Sequence, residues 1–264
     1  MADSPAKATG GRNPATLLWA CGVVLMNAVV YPLLVAWTAL SIVLSPVYLA
    51  LATLPTRWPP DKAIRFLIWL YGRSWMALVL PFLRFRREGF TPDNCRRPSI
   101  VVVNHLSFFD TFFMGALPFF DVTFAVRSWP FKMVWFTYFM KLARYLDVER
   151  MTGEETFAAA REALERKGRI LFFPEGHRSR DGKLHRFHTG AFRIAVATGV
   201  PIVPLCLTGT GDLLPPGRWW LAPARVRMRA LPAVDPKAFT GPLAHRKLRD
   251  AVAAAMERAV EEMS

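Results

Sequence analysis

The sequence predicts an α/β fold: a central mixed β-sheet flanked by helices and preceded by an N-terminal membrane-embedded helical hairpin. Two observations carry this expectation. Residues 13–56 contain no charged residue and no histidine, a stretch about twice the roughly 20 residues that span a bilayer as a helix. From about Arg86 onward, short β-branched runs alternate with longer stretches of helical periodicity, the pattern of a layered α/β domain. Composition agrees, since 53% of the chain is hydrophobic, above the usual apolar share of a soluble protein. The 264 residues suffice for one globular domain with an appendage.

In chain order, residues 1–12 read as a flexible leader. Residues 13–56 read as the membrane-embedded hairpin. Lys7 and Arg12 precede this stretch, and Arg57, Lys62 and Arg65 follow it. By the positive-inside bias both flanks lie in the cytoplasm, which requires two crossings or a hairpin that dips and returns. The turn is expected near the middle, between Asn27 and Pro32. A cleaved secretory signal is the competing reading, but its apolar core is only about 7 to 15 residues long. Residues 57–85 are expected to form an interfacial helix, because the apolar run Phe66 to Phe85 carries Arg73, Arg84, Trp69 and Trp75. Residues 86–264 form the α/β domain. Its strands are expected at 99–103, 122–126, 170–173, 202–207 and 225–231, and its helices at 154–166, 190–198 and 243–263.

Thirty-four Lys and Arg against twenty Asp and Glu give a net charge of +14. Such a charge suits an anionic bilayer, a phosphorylated substrate or nucleic acid. The apolar content favours the bilayer, and no nucleic-acid partner is expected. Cys21, Cys95 and Cys206 are scattered, so neither a disulfide framework nor a zinc site is indicated. The five histidines show no ligand-like grouping, so no metal and no cofactor are expected.

The stretch NHLSFFD, residues 104–110, follows the apolar run Ser99 to Val103. In a continuous helix His105 and Asp110 would lie about 140° apart and never meet. With the strand ending near Asn104 and Ser107 capping a helix, Asp110 falls at the third helical position, within reach of His105. Asp110 would then fix the imidazole tautomer and leave its other nitrogen free to accept a proton. The alternative is a variant capping box in which Asp110 only satisfies main-chain donors. Farther on, LFFPEGHRSRDGKLHRFHTGAF, residues 171–192, ends a strand at Pro174 and opens a cationic cluster of Arg178, Arg180, Lys183 and Arg186. Arginine forks suit phosphate, and Gly176 would let main-chain amides approach an anion. A solvated basic loop is the competing reading.

NHLSFFD matches the pattern N-H-x-S-x-x-D. FPEGHRSRDGKL, with FHTGAF and GVPIVPL, resembles the F-P-E-G-T-R-S block and its V-P-I-x-P sequel. Together they resemble the glycerolipid acyltransferases, of the bacterial 1-acylglycerol-3-phosphate acyltransferase type, over roughly residues 86–225. The resemblance implies that His105 is the general base and Asp110 its orienting partner, with the acceptor hydroxyl attacking the thioester of acyl-CoA or acyl-carrier protein directly. It implies substrate-binding positions at Asn104, Ser107, Glu175, Gly176, Arg178 and Ser179, with Arg178 on the lysolipid phosphate. Arg150, closing YLDVER, resembles the arginine of another acceptor-binding motif. Partners would be the lipid bilayer, the thioester donor and a lysophospholipid acceptor. The place would be a membrane, with the catalytic domain on its cytoplasmic face. Three departures touch the acceptor side: His177 for threonine, His188 for lysine, and a charged segment lacking glycine before Arg150. The aromatics Phe108, Phe109, Phe112 and Phe113, and those from Trp129 to Phe139, would line an acyl pocket or form ordinary core.

Overall fold

The computed structural model describes residues 14–263, apart from the side chains of Pro14, Ala15, Val134 and Trp135. The expected leader, residues 1–12, therefore lies outside the described residues. Two long helices come first, α1 (Pro14–Thr56) and α2 (Pro60–Val79). There follow β1 (Leu83–Glu88), β2 (Ser99–Val103), α3 (Asp110–Phe113), β3 (Val122–Val126), α4 (Val134–Leu142), β4 (Leu146–Asp147), α5 (Gly153–Glu165) and β5 (Arg169–Phe172). The chain closes with α6 (Gly190–Thr198), β6 (Ile202–Thr208), α7 (Thr210–Leu213), β7 (Ala224–Ala230) and α8 (Ala244–Met263).

The strands form one seven-stranded sheet in the order β1-β7-β6-β2-β5-β3-β4. All neighbouring pairs are parallel except β6 and β7, so the sheet is mixed, as expected. Side chains alternate across a strand, and β2 is buried on both faces. Val101 and Val103 pack with Trp75 and Val79 of α2, Phe113 of α3 and Met26 and Val30 of α1. Ile100 and Val102 face Leu164 of α5, Phe192 of α6 and the row Leu248, Val252 and Met256 of α8. Helices thus cover both faces, which is why the parallel strands read as unbroken apolar runs.

The turn expected between Asn27 and Pro32 is not there, because α1 runs unbroken through both residues. The hairpin is made instead by α1 and α2, and the chain reverses at residues 57–59, where Arg57 takes a φ of 55°. The arms are antiparallel: Trp37 Nε1 donates to Ser74 Oγ at 2.7 Å, and the Thr38 and Tyr71 hydroxyls lie 2.6 Å apart. Asn27 is polar for another reason. Its amide nitrogen donates to Val23 O at 2.7 Å and Leu221 O at 2.8 Å, and its oxygen accepts the Leu221 N–H at 2.8 Å. It fastens α1 to the α/β domain. Residues 16–56 and 60–82 are each long and apolar enough to cross a membrane.

The helix expected to continue to residue 85 stops at Val79. Pro81 falls in a short 3-10 turn, Leu80–Phe82, and Leu83, Arg84 and Phe85 then enter β1 beside β7. Helix α2 also lies on the segment that follows α3. A Cβ added at Gly115 would come within 2.5 Å of Arg73 N, and one added at Gly72 within 3.1 Å of Phe112 O. Only glycines permit this main-chain approach.

Candidate active site

The first strand of the site ends at Val103, and the next two side chains have opposite duties. Asn104 is buried, donating to Leu207 O at 2.9 Å and accepting from Leu207 N at 2.7 Å, so it clamps the end of β2 to β6. His105 points the other way, its side chain 17% exposed, with Nδ1 2.7 Å from Asp110 Oδ2. The same oxygen accepts the N–H groups of Leu106 at 2.7 Å and Ser107 at 2.8 Å. The one carboxylate oxygen thus meets both the main-chain donors of the turn and the imidazole. It does so from the first position of α3, not the third, since the helix begins at Asp110 itself. Ser107 is fully buried and donates to Leu214 O at 2.7 Å. Asn104 and Ser107, expected to touch substrate, spend their polar groups on main chain instead.

Glu175 follows β5 and ties the two sequence stretches together. Its Oε1 accepts the His105 N–H at 2.8 Å and its Oε2 the His185 N–H at 3.0 Å. Burial pushes its carboxyl above the usual range, and these two main-chain bonds oppose that rise. Ser179 N donates to His105 O at 2.7 Å, so both main-chain groups of His105 are held by the same loop. Ser179 Oγ donates to Asp181 Oδ1 at 2.8 Å, and this bond, with the Lys183 N–H, lowers the Asp181 carboxyl to about 2. The His105 ring stacks on Phe173, with centroids 4.3 Å apart. Gly176 has a φ of 72°, and a Cβ there would lie 3.1 Å from the His188 ring. His188, standing where the resemblance expects lysine, thus packs on the Glu175–Gly176 turn.

A cleft of about 1140 Å³ opens over His105. One end is apolar, lined by Trp37 and Leu40 of α1 and Ile68 and Tyr71 of α2. The other end is cationic, lined by Arg127, Arg178 and Arg180 with His177 and His185. Phe108, Phe112, Trp129, Phe136 and Phe139 line the cleft, whereas Phe109 and Phe113 are buried core. The side chain of Trp135 lies outside the described residues. Arg150 does not reach this space. Its side chain is 69% exposed and 3.7 Å from Asp147. On that side the cleft is lined by Arg127, which pairs with Glu149 and donates to Gly176 O at 3.4 Å. The sequence offered one unused signal for Arg127. It directly follows β3, and His105, Arg127 and Glu175 all lie just past the carboxyl ends of neighbouring parallel strands, where open α/β sheets place their ligands.

The arrangement holds an imidazole with Nδ1 committed to a carboxylate, in the lining of a space with a greasy end and a cationic end. It suits proton removal from an amphipathic, anionic molecule.

Comparison with known proteins agrees with this geometry. Residues 85–208 match the family model described as Acyltransferase. A chloroplastic 1-acyl-sn-glycerol-3-phosphate acyltransferase of Arabidopsis thaliana is 31% identical over 151 residues, 55% of this chain but only 42% of that protein. A 1-acyl-sn-glycerol-3-phosphate acyltransferase of Pseudomonas aeruginosa is 24% identical over 236 residues, 86% of each chain. Against several of the curated relatives it matches, the chain spans only about half of their length. Among solved structures, the 1-acyl-sn-glycerophosphate acyltransferase PlsC from Thermotoga maritima superposes with a TM-score of 0.67 at 26% identity, covering 87% of this chain and 95% of that one. Two motifs in order, a shared fold and a matched family model converge on residues 85–208, which match the acyltransferase family.

Proposed function

We propose that this chain is a membrane-bound O-acyltransferase that moves a fatty acyl group from acyl-CoA or acyl-carrier protein to the sn-2 hydroxyl of lysophosphatidic acid, giving phosphatidic acid. The observation that carries the reading is the His105–Asp110 pair, 2.7 Å apart, lying between the apolar and cationic ends of one cleft. The acceptor's acyl chain lies along α1 and α2 and its phosphate meets Arg178. Each buried methylene contributes about 0.8 kcal/mol, which favours a site at the bilayer over one that lifts the chain into water. The hairpin α1–α2 is embedded in the membrane, and the domain sits on its cytoplasmic face.

The acceptor O–H gives its proton to His105 Nε2 as the oxygen attacks the thioester carbonyl. Asp110 stabilises the imidazolium so formed. The tetrahedral intermediate collapses, the C–S bond breaks, and the departing thiolate takes the proton back from Nε2. No acyl-enzyme forms, because Ser107 is buried and hydrogen-bonded to main chain.

The test is thiol release by purified protein with acyl-CoA, comparing lysophosphatidic acid with monoacylglycerol. Wild type should prefer the phosphorylated acceptor, and Arg178→Ala should lose the preference. Equal use of both acceptors by wild type would reject the acceptor assignment. Full turnover in His105→Ala would reject the mechanism.

A further inference from the structure

A second cleft, of about 720 Å³, lies behind the Glu175 turn. Arg186, Arg193 and Arg246 line it together with His188, His245 and Arg249. Among the described residues no carboxylate pairs with Arg186, Arg193 or Arg246, while Arg249 pairs with its neighbour Asp250. The one carboxylate in the lining, Glu175, is already bound by two main-chain N–H groups. Two helices begin here. The first turn of α8 carries no acidic residue and presents His245 and Arg246, and Thr189, preceding α6, makes no side-chain cap. Helix starts normally attract carboxylates, so cations there add to the dipole's field instead of offsetting it. Like charges held together without counter-charge cost stability, and an external anion relieves that cost.

We propose that this cleft binds the phosphates of a coenzyme A-type nucleotide thioester, the acyl donor of the reaction proposed above, on which this assignment rests. Its volume falls within the roughly 300–1,000 Å³ of small-molecule sites, and its concavity fits phosphates better than it fits the convex face of an acidic carrier protein. His177 and His185 line both clefts, so the donor's arm passes between them to reach His105 while the acceptor stays in the first cleft. Arginines suit the role because their planar forks bind phosphate oxygens in pairs.

The experiment is equilibrium binding of CoA and of 3′,5′-ADP to the full chain in detergent, for wild type and for Arg193→Glu/Arg246→Glu. Single glutamine variants, Arg193→Gln and Arg246→Gln, serve if the charge reversals fail to fold. The expected result is affinity weakened about tenfold or more, with KM for acyl-CoA raised in proportion. KM for the lysolipid and turnover of a phosphate-free acyl-N-acetylcysteamine thioester stay unchanged. CoA affinity equal in wild type and variant overturns the proposal. So does loss of acyl-carrier-protein turnover with CoA binding intact, which would make the cleft a protein-docking surface. CoA binding needs no turnover, so a chain that binds CoA through these arginines yet transfers no acyl group overturns the proposed function and keeps the cleft.

Discussion

Glu175 Oε1 accepts the main-chain N–H of His105 at 2.8 Å, across 70 residues of sequence. The turn that carries His105 and the turn that carries Glu175 and Gly176 are therefore one unit. Burial raises the Glu175 carboxyl, so the fold favours its protonated form. A group whose folded pKa is raised contributes stability that is present below its unfolded value, about 4.3, and that is lost as pH rises through the folded value. Glu175→Gln does not titrate. The melting temperature of Glu175→Gln minus that of wild type should therefore become more positive between pH 4 and neutrality, read by thermal melts. A difference independent of pH would show that Glu175 is not strained by burial. Glu175→Ala should be worse at every pH, since two N–H groups lose their acceptor at about 1–3 kcal/mol each.

Asp110→Asn tests the orienting role. The asparagine oxygen can still accept from Leu106 and Ser107, whose N–H groups lie 2.7 and 2.8 Å from Asp110 Oδ2. That same oxygen still meets His105 Nδ1, but as a neutral acceptor it stabilises the developing imidazolium less than a carboxylate does, and the NH₂ takes the place of Oδ1, which has no hydrogen-bond partner. The expected outcome is kcat lower by roughly 10²–10⁴-fold with the fold retained, checked by steady-state kinetics beside circular dichroism. An active Asp110→Asn would leave Asp110 only its main-chain duty.

Gly115→Ala should destabilise the protein by about 1–3 kcal/mol, since its Cβ would meet Arg73 N at 2.5 Å. Denaturant titration measures this. Gly153→Ala, where a Cβ meets nothing within 4 Å, is the control.

Asn27→Leu removes the paired contacts with Leu221 and leaves that strand approach without partners in an apolar setting. A loss of about 1–3 kcal/mol is expected. Limited proteolysis should show faster cutting around Trp219, which is 76% exposed and whose carbonyl accepts the Tyr31 hydroxyl. Unchanged cleavage would mean that the Tyr31 hydroxyl and apolar packing hold this segment to α1 without Asn27.

Strands β2 and β3 were legible to the residue because they are short, β-branched and bounded by polar turns. Strand β1 was not, since Leu83 and Phe85 continue the apolar texture of α2, and only Pro81 marks the change. Strand β4, two residues long, has no pattern to read. The hairpin turn was misplaced because Asn27 looked like a turn residue, and its partner Leu221 lies 194 positions away. At the site, local spacing sufficed to bring His105 and Asp110 together. Spacing alone could not tell that Asn104 and Ser107 face inward, or that Arg127 lies over the cleft while Arg150 does not. Those facts depend on which strands are neighbours.

The backbone contact between Gly72 and the Gly115 region, with Asn27 hydrogen-bonded to Leu221, joins the helical pair to the domain that carries His105. In the membrane-bound state proposed above, the imidazole then has a set draught, as a hull does. One residue inserted in α2 would advance its axis by about 1.5 Å and rotate it by about 100°, resetting the waterline for every side chain beyond it. On that proposal the chain, more than the lipid, decides how deep His105 floats.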